Sequence, residues 1–217
     1  MPRSLALIGF EPFAGRSLNA SAEVIRLFEH TVIPGLVLHR LVLPVDRMAG
    51  PPHLINTLKT LQPDWCVILG EAKGRAAFSI ERVAVNLSDF GIPDNGGHQP
   101  RDEEVVNAGP AAYFVSLPVR TLVSAIQTTG LPVKLSLSAG SFLCNYMLYL
   151  VLHICASEGL ATNCGLIHLP VFPAQVTPDQ KNVPTLELDQ LYQGVRAICE
   201  ALAQVSLSQP SPNRVAS

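Results

Sequence analysis

The chain has 217 residues, 48% of them hydrophobic, and a formal net charge of -2. That length allows one substantial core without disulfides or a metal, so we expect a single domain over residues 1–206. Lysine and arginine form no cluster, which excludes an electrostatic preference for nucleic acid or for an anionic membrane. The composition therefore indicates a small or neutral ligand.

Cysteine usage and the apolar segments indicate the compartment. The five cysteines are odd in number and include no C-x-x-C pair, which is typical of free thiols in a reducing environment. The apolar segment 5–10 is too short for a signal peptide. The segment 146–155 is shorter than the roughly 18 residues that a membrane span needs. We therefore expect a cytoplasmic protein.

Short apolar runs alternate with helical patterns along the chain, which is typical of an α/β sheet covered by helices on both faces. The predicted strands cover residues 5–10, 36–45, 64–69, 78–87, 133–137 and 164–169. The first predicted helix follows an N-cap at Asn19 or Ser21 and ends near residue 30; the others cover 51–61, 122–129, 145–158 and 185–205. We expect the turn-rich segment 88–118 to pass over the sheet and the polar tail 207–217 to be disordered.

A turn of small residues, 138–141, leads through Phe142 and Leu143 to Cys144 at the start of an apolar helix. The unpaired N–H groups and the positive end of the helix dipole stabilise a thiolate there. This position predicts a lowered thiol pKa and a nucleophilic cysteine. A buried structural cysteine is the alternative, because cysteine is among the most buried residue types.

A cysteine nucleophile needs a base and a third group that orients the base. His168 is the best candidate for the base, because it ends a predicted strand, where α/β proteins assemble active sites. Glu81 is the candidate acid, because it shares a strand face with apolar residues and needs a partner there, either an imidazolium or solvent. Both also have a plain structural interpretation, as a hydrogen-bonded core histidine and a solvent-facing strand residue.

Two other uses of these residue types find less support. Cys164 and His168 have a spacing that can ligate zinc, but no second pair accompanies them, so we expect no metal. The glycines within 70–74 follow a strand, as in a phosphate-binding loop, but their spacing matches neither the Walker nor the dinucleotide pattern. We expect no cofactor.

Six motifs follow one another between about residues 5 and 175. They are Gly9-Phe10-Glu11-Pro12-Phe13 followed by Asn19, Gly70-x-Ala72-x-Gly74-Arg75, Glu81-Arg82-x-Ala84-x-Asn86, Ile92-Pro93-Asp94-Asn95, Ser138-Ala139-Gly140 through Cys144-Asn145, and His168-Leu169-Pro170. Their content and order resemble the pyroglutamyl peptidases of the cysteine type, also called pyrrolidone-carboxylate peptidases.

The resemblance implies a three-layer α/β/α sandwich with a central twisted, mostly parallel sheet, assembled as a homotetramer. It implies that Glu81, Cys144 and His168 are catalytic, and that this cysteine omega-peptidase removes N-terminal pyroglutamyl residues from peptides through a thioester. It also implies a substrate pocket formed by Phe10, Phe13, Asn19, Glu71, Ile92, Phe142 and Leu143. Plain core packing is the alternative for each apolar member of that set.

Two positions depart from the family's pattern. Many members carry glutamine where this chain has Glu71, and a carboxylate near the thiol is expected to raise the thiol pKa. Many also carry arginine where this chain has Gly91, which removes a cation that Lys73 or Arg75 would have to replace. These changes leave one alternative, a catalytically weak relative that binds pyroglutamyl termini or free pyroglutamate. A nucleoside-processing enzyme on a similar sheet is disfavoured by the lack of a phosphate-binding loop.

Overall fold

A computed structural model of the chain describes residues 2–177, 179–180 and 182–206. The strands are β1 (Arg3–Phe10), β2 (Leu36–Leu43), β3 (Trp65–Glu71), β4 (Phe78–Glu81), β5 (Val83–Val85), β6 (Ala112–Phe114), β7 (Val133–Ser136) and β8 (Asn163–Leu169). The helices are α1 (Ala20–Leu27), α2 (Gly50–Leu61), α3 (Val119–Gln127), α4 (Leu143–Ser157) and α5 (Leu188–Gln204). The tail predicted to be disordered, 207–217, lies outside the described residues.

Six of these strands form one sheet in the order β2-β1-β3-β8-β4-β7. The neighbours β2, β1, β3 and β8 pair in parallel, and so do β4 and β7, whereas β4 pairs antiparallel with β8. The prediction of a mostly parallel sheet is confirmed. Within the described part of this sheet, the one antiparallel pair joins the two strands that carry Glu81 and His168.

Both faces of the sheet are buried. Alternate residues of a strand point to opposite faces, so one strand contributes to two cores. In β1, Leu5 and Leu7 belong to the core shared with α1, α3 and α5, whereas Ala6 and Ile8 belong to the core shared with α2 and α4. The chain therefore forms three layers, as predicted. Among the described residues, no helix combines the length and the apolar character needed to cross a membrane.

The prediction of one continuous strand over residues 78–87 is wrong, because the chain changes partner at Arg82. The Arg82 N–H donates to the Ser136 carbonyl of β7, while the Arg82 carbonyl accepts from the Val115 N–H beside β6. Strand β4 thus stays in the main sheet, and β5 forms a separate two-stranded ribbon with β6. The alternating sequence pattern continues across this break, so it gave no sign of it. Strand β6 itself lies in the predicted excursion and was missed.

The other predicted elements are confirmed, with small shifts at their ends. Asn19 is the N-cap of α1, where its side chain accepts a hydrogen bond from the Ser21 N–H. Helix α4 begins at Leu143, two residues before the predicted start, so Cys144 lies in its first turn. This shift places the Cys144 amide among the N–H groups that have no partner within the helix.

Candidate active site

The structure brings Glu81 and His168 into direct contact. Ser79 of β4 pairs with His168 of β8, and Glu81 lies two residues further along β4, so its side chain points to the same face of the sheet. Glu81 Oε1 is 2.8 Å from His168 Nδ1, and both side chains are buried. Because an ionised carboxylate only accepts, Nδ1 carries the imidazole proton and Nε2 remains as an acceptor.

Cys144 meets the other side of the imidazole above Gly70. Strand pairing sets Gly70 of β3 beside His168 of β8. A Cβ on Gly70 would stand 2.8 Å from Cys144 Sγ and 3.1 Å from His168 Nε2. The two atoms are therefore separated by no more than the sum of these distances. The space that the missing side chain leaves is where the sulfur and the base come together.

Two residues outside the predicted catalytic and substrate-binding sets hold this arrangement in place. Arg75 Nη1 donates to Glu81 Oε1 at 2.6 Å, and Arg75 Nη2 donates to the Ser138 carbonyl at 3.0 Å. Asn145 is buried and donates through its side-chain amide to the carbonyls of Val85 and Leu87. Arg75 thus links Glu81 to the turn before Cys144, and Asn145 anchors the first turn of α4.

Arg75 and Asn145 both stand in the sequence motifs quoted above. Arg75 ends the glycine-rich segment that follows β3, and Asn145 directly follows Cys144. The sequence predicts an imidazolium or solvent as the partner of Glu81. The structure gives it an imidazole and, in addition, the guanidinium of Arg75.

The electrostatics of the site favour neutral sulfur and imidazole in the absence of substrate. Burial raises the pKa of the Cys144 thiol to about 12, with Glu81 adding to the rise and Arg75 opposing it. Burial also lowers the pKa of His168 below 6.5, although Glu81 opposes this shift. The prediction of a lowered thiol pKa is wrong, because burial makes the largest contribution and it raises the pKa. The predicted unfavourable effect of Glu71 on the thiolate is confirmed, as a smaller contribution.

Glu81 remains the charged member of the group. Burial favours its neutral form, but the hydrogen bonds from His168 and Arg75 favour the carboxylate, and the pKa of Glu81 is lowered below 4.5. One buried negative charge is therefore matched by one partly exposed guanidinium.

An apolar pocket lies next to the sulfur. It is lined by Phe10, Phe13, Asn19, Val45, Glu71, Phe142, Leu143 and Cys144. All of the predicted substrate-binding residues except Ile92 are in this lining, and Ile92 is 42% exposed. Val45, at the end of a predicted strand, is an additional member.

Aromatic contacts set the shape of the pocket. The ring centroids of Phe13 and Phe142 are 5.8 Å apart, and those of Phe90 and Phe142 are 4.5 Å apart. Asn19 lies in the pocket lining, but its side-chain amide is already hydrogen-bonded to the backbone. It donates to the Glu11 carbonyl at 3.1 Å and caps α1. The pocket wall thus combines three aromatic rings with polar side chains that are already hydrogen-bonded.

Two sets of side chains contain residue types that can ligate a metal. Cys164 and His168 stand four residues apart on one strand, a separation of about 13 Å, so they do not share an ion. Asp46, Asp94 and His98 do cluster, with ligand atoms within 4.8 Å of one another. However, backbone N–H groups donate to both carboxylates and shape the surrounding turns.

Comparison with known proteins gives consistent matches. Residues 4–205 match the family model described as pyroglutamyl peptidase. A pyrrolidone-carboxylate peptidase of Vibrio vulnificus is 39% identical over 193 residues, which cover 89% of each chain. One of Chromobacterium violaceum is 42% identical over 173 residues, or 80% of each chain. The crystal structure of pyroglutamyl peptidase I from Bacillus amyloliquefaciens matches with a TM-score of 0.89 at 32% identity, covering 94% of this chain and 97% of that chain.

These matches assign the chain to the cysteine-type hydrolases, the class that uses a thiol, an imidazole and a carboxylate of the kind found here. Within that class, the chain belongs to the pyroglutamyl peptidase family.

The role of Arg75 is testable by titration of the imidazole. Because the guanidinium adds to the lowering of the His168 pKa, Arg75→Met is expected to move the titration of His168 to higher pH. The ring C–H resonances of His168 in NMR spectra measure this shift. Lys73→Met is the matched control, since Lys73 is exposed and bonds Gln180 instead. An unchanged His168 titration in Arg75→Met contradicts the electrostatic role.

Proposed function

We propose that this chain hydrolyses the amide bond after an N-terminal pyroglutamyl residue of peptides, with Cys144 as nucleophile, His168 as general base and Glu81 as the group that orients the imidazole. The observation that carries this proposal is the convergence of Cys144 Sγ and His168 Nε2 above Gly70, beside the apolar pocket. The family of the chain supports the same reaction.

The proposed reaction begins with two neutral groups. His168 Nε2 takes the thiol proton as Cys144 Sγ attacks the pyroglutamyl carbonyl carbon, and a carbon–sulfur bond forms. The N-cap of α4, Phe142, makes no side-chain cap, so the amides of the first turn are available to hydrogen-bond the oxyanion. The carbon–nitrogen bond then breaks, and the leaving amine takes the proton from His168. Water, activated by the same imidazole, hydrolyses the thioester.

The lowered pKa of His168 suits this role. A base must be neutral before it accepts the thiol proton, and burial keeps the imidazole neutral at neutral pH. Glu81 remains ionised and stabilises the imidazolium that forms during attack.

The pocket fits the pyroglutamyl ring chemically. The ring is small, nearly flat and uncharged, and the walls contributed by Phe10, Phe13 and Phe142 are apolar. An ordinary peptide amino terminus carries a positive charge, which loses hydration among such walls without gaining a partner. The pocket therefore favours a lactam over an ammonium group.

We further propose that residues 1–206 form a single peptidase domain that acts in the cytoplasm as a homotetramer. Five free cysteines support a reducing compartment. The tetramer rests on the resemblance to the family, and exposed apolar side chains such as Phe114 and Leu137 offer surface for contacts between copies. Sedimentation equilibrium measures the assembly directly.

Removal of the sulfur tests the nucleophile. Cys144→Ala and Cys144→Ser are each expected to lower the release of a chromogenic amine from its pyroglutamyl amide by about 10³-fold or more. Binding of 2-pyrrolidone, measured by calorimetry, should persist in both variants, because the pocket walls are unchanged. Unchanged turnover in either variant contradicts the assignment, and a wild type that binds without turnover favours the ligand-binding alternative.

The space above Gly70 is tested by filling it. The methyl group of Gly70→Ala would overlap Cys144 Sγ and the His168 ring, so turnover of the pyroglutamyl amide should fall by about 10²-fold. Gly91→Ala is the control, since a Cβ there meets nothing within 4 Å. Circular dichroism confirms that both variants fold. Full activity in folded Gly70→Ala would show that the sulfur and the base do not meet at this point.

A further inference from the structure

Glu71 places a second buried carboxylate in the substrate pocket. Its side chain is 1% exposed and lines the pocket together with Cys144. Arg16 Nη1 donates to Glu71 Oε1 at 2.5 Å, and the Ala20 N–H donates to Oε2 at 2.8 Å. Gln175 Nε2 also donates to Oε2. A charge in this position requires a partner, and Arg16 is the only cation paired with it among the described residues.

Arg16 also contacts the aromatic wall. Its guanidinium carbon lies 4.8 Å from the centroid of Phe13, and the Arg16 N–H donates to the Phe13 carbonyl at 3.1 Å. The chain turns sharply between these residues, with left-handed φ angles of 53° at Ala14 and 71° at Gly15. This turn brings the guanidinium to the Phe13 ring and to Glu71 at once.

We propose that Arg16 is a specificity-determining residue, which occupies the place beside Glu71 that the ammonium group of an ordinary amino terminus would otherwise take, and which seats Phe13 in the pocket wall. This inference rests on the proposed function. It explains how a pocket for an uncharged lactam accommodates a carboxylate next to the nucleophile. The carboxylate is neutralised from within the chain, so it neither attracts a cationic terminus nor stands unpaired beside the sulfur.

If Arg16 has this role, its removal should change which ligand charge the pocket prefers. Without Arg16, the Glu71 carboxylate becomes available to a cation of the same ring size as pyroglutamate. Prolinamide is such a cation, since it has the same five-membered ring with a protonated amine in place of the lactam. 2-Pyrrolidone is the matching uncharged ring.

A double-mutant cycle on Arg16→Met and Glu71→Gln tests this role. In Arg16→Met, the KM for a pyroglutamyl amide should rise about tenfold, and prolinamide should inhibit about tenfold more strongly than in the wild type. In the double variant, the added inhibition by prolinamide should disappear, because the free carboxylate is gone. Arg26→Met is the control, since Arg26 forms an exposed pair with Glu23 on α1.

The possible results distinguish a failure of the role proposed for Arg16 from a failure of the proposed peptidase function. If Arg16→Met only loosens the loop, both 2-pyrrolidone and prolinamide should bind more weakly, and adding Glu71→Gln should not restore their binding. That result overturns the role of Arg16. Unchanged inhibition by prolinamide in Arg16→Met also overturns it. If the wild type does not turn over the pyroglutamyl amide, the proposed function fails. Calorimetric binding of 2-pyrrolidone and prolinamide to the same variants still decides the role of Arg16.

An independent observation concerns two cysteines away from the pocket lining. Cys155 Sγ of α4 lies 3.6 Å from Cys164 Sγ of β8. Cys155 is partly exposed and Cys164 is buried. A disulfide needs an S–S distance near 2.05 Å, so the two sulfurs must approach by roughly 1.5 Å, which is within the reach of a side-chain rotation at Cys155.

We propose that Cys155 and Cys164 form a dithiol that hydroperoxides oxidise to a disulfide. The Cys155 thiolate attacks the terminal oxygen of the hydroperoxide, which forms a sulfur–oxygen bond, breaks the oxygen–oxygen bond and releases hydroxide from hydrogen peroxide or an alkoxide from an organic hydroperoxide. Cys164 then attacks the sulfenic sulfur, which forms the disulfide and breaks the sulfur–oxygen bond. The oxygen leaves as water with the Cys164 proton. The new bond joins α4, which carries Cys144 in its first turn, to β8, which carries His168 next to its last residue.

The order of reactivity follows from the surroundings of each sulfur. A hydrogen bond from Cys164 lowers the pKa of Cys155, whereas burial raises the pKa of Cys144 to about 12. Cys155 is also the more exposed sulfur of the pair, so peroxide meets it first, whereas the Cys144 thiol is protonated while the pocket is empty.

Thiol counting in Cys144→Ala protein tests the pair without interference from the nucleophile. Four cysteines remain in this variant, and hydrogen peroxide should remove two titratable thiols, which dithiothreitol restores. Peptide mass mapping should identify a bond between residues 155 and 164. With Cys155→Ser added, the three remaining thiols should persist under the same treatment. Retention of all four thiols, a bond that involves Cys66, or sulfinic acid in place of the disulfide overturns the proposal.

Discussion

The candidate site depends on one empty volume, the place where residue 70 has no side chain. Cys144 Sγ and the His168 ring both occupy positions that a Cβ on Gly70 would exclude. The parallel pairing of β3 with β8 places His168 beside Gly70. The first turn of α4 brings Cys144 to the same point. Glu81 arrives through the only antiparallel pair of the main sheet within the described residues. A glycine is therefore as important to the site as the groups that carry the chemistry.

Charge around the sulfur is arranged as matched pairs. Glu81 is paired with Arg75 and Glu71 is paired with Arg16, and in each case a buried carboxylate meets a more exposed guanidinium. Burial keeps the thiol and the imidazole neutral until substrate arrives, so the proposed proton transfer accompanies attack and does not precede it. The Glu71 carboxylate is matched by an arginine that lies 55 positions away in the sequence.

The sequence predicted most elements because their signals are local. Apolar runs gave the strands, and Asn19 gave the cap of α1. It failed at residues 78–87, because alternation of side chains records which face a residue occupies and not which strand it pairs with. The helix terminus likewise predicts a lowered pKa for Cys144, whereas burial raises it. The position of a residue in a helix is local, whereas its loss of hydration depends on every element packed around it.

The amino-acid sequence by itself determined the layered α/β architecture, the motifs of the family, and the side chains placed at strand and helix ends. The tertiary structure alone decided which of those side chains meet. The links of Arg75 to Glu81 and of Arg16 to Glu71 depend on loops that return to the same strand ends, and Ile92 stands outside the pocket lining although it lies within a family motif. Contacts of this kind join residues that are far apart in the chain, and their geometry is fixed by packing, which no short stretch of sequence encodes.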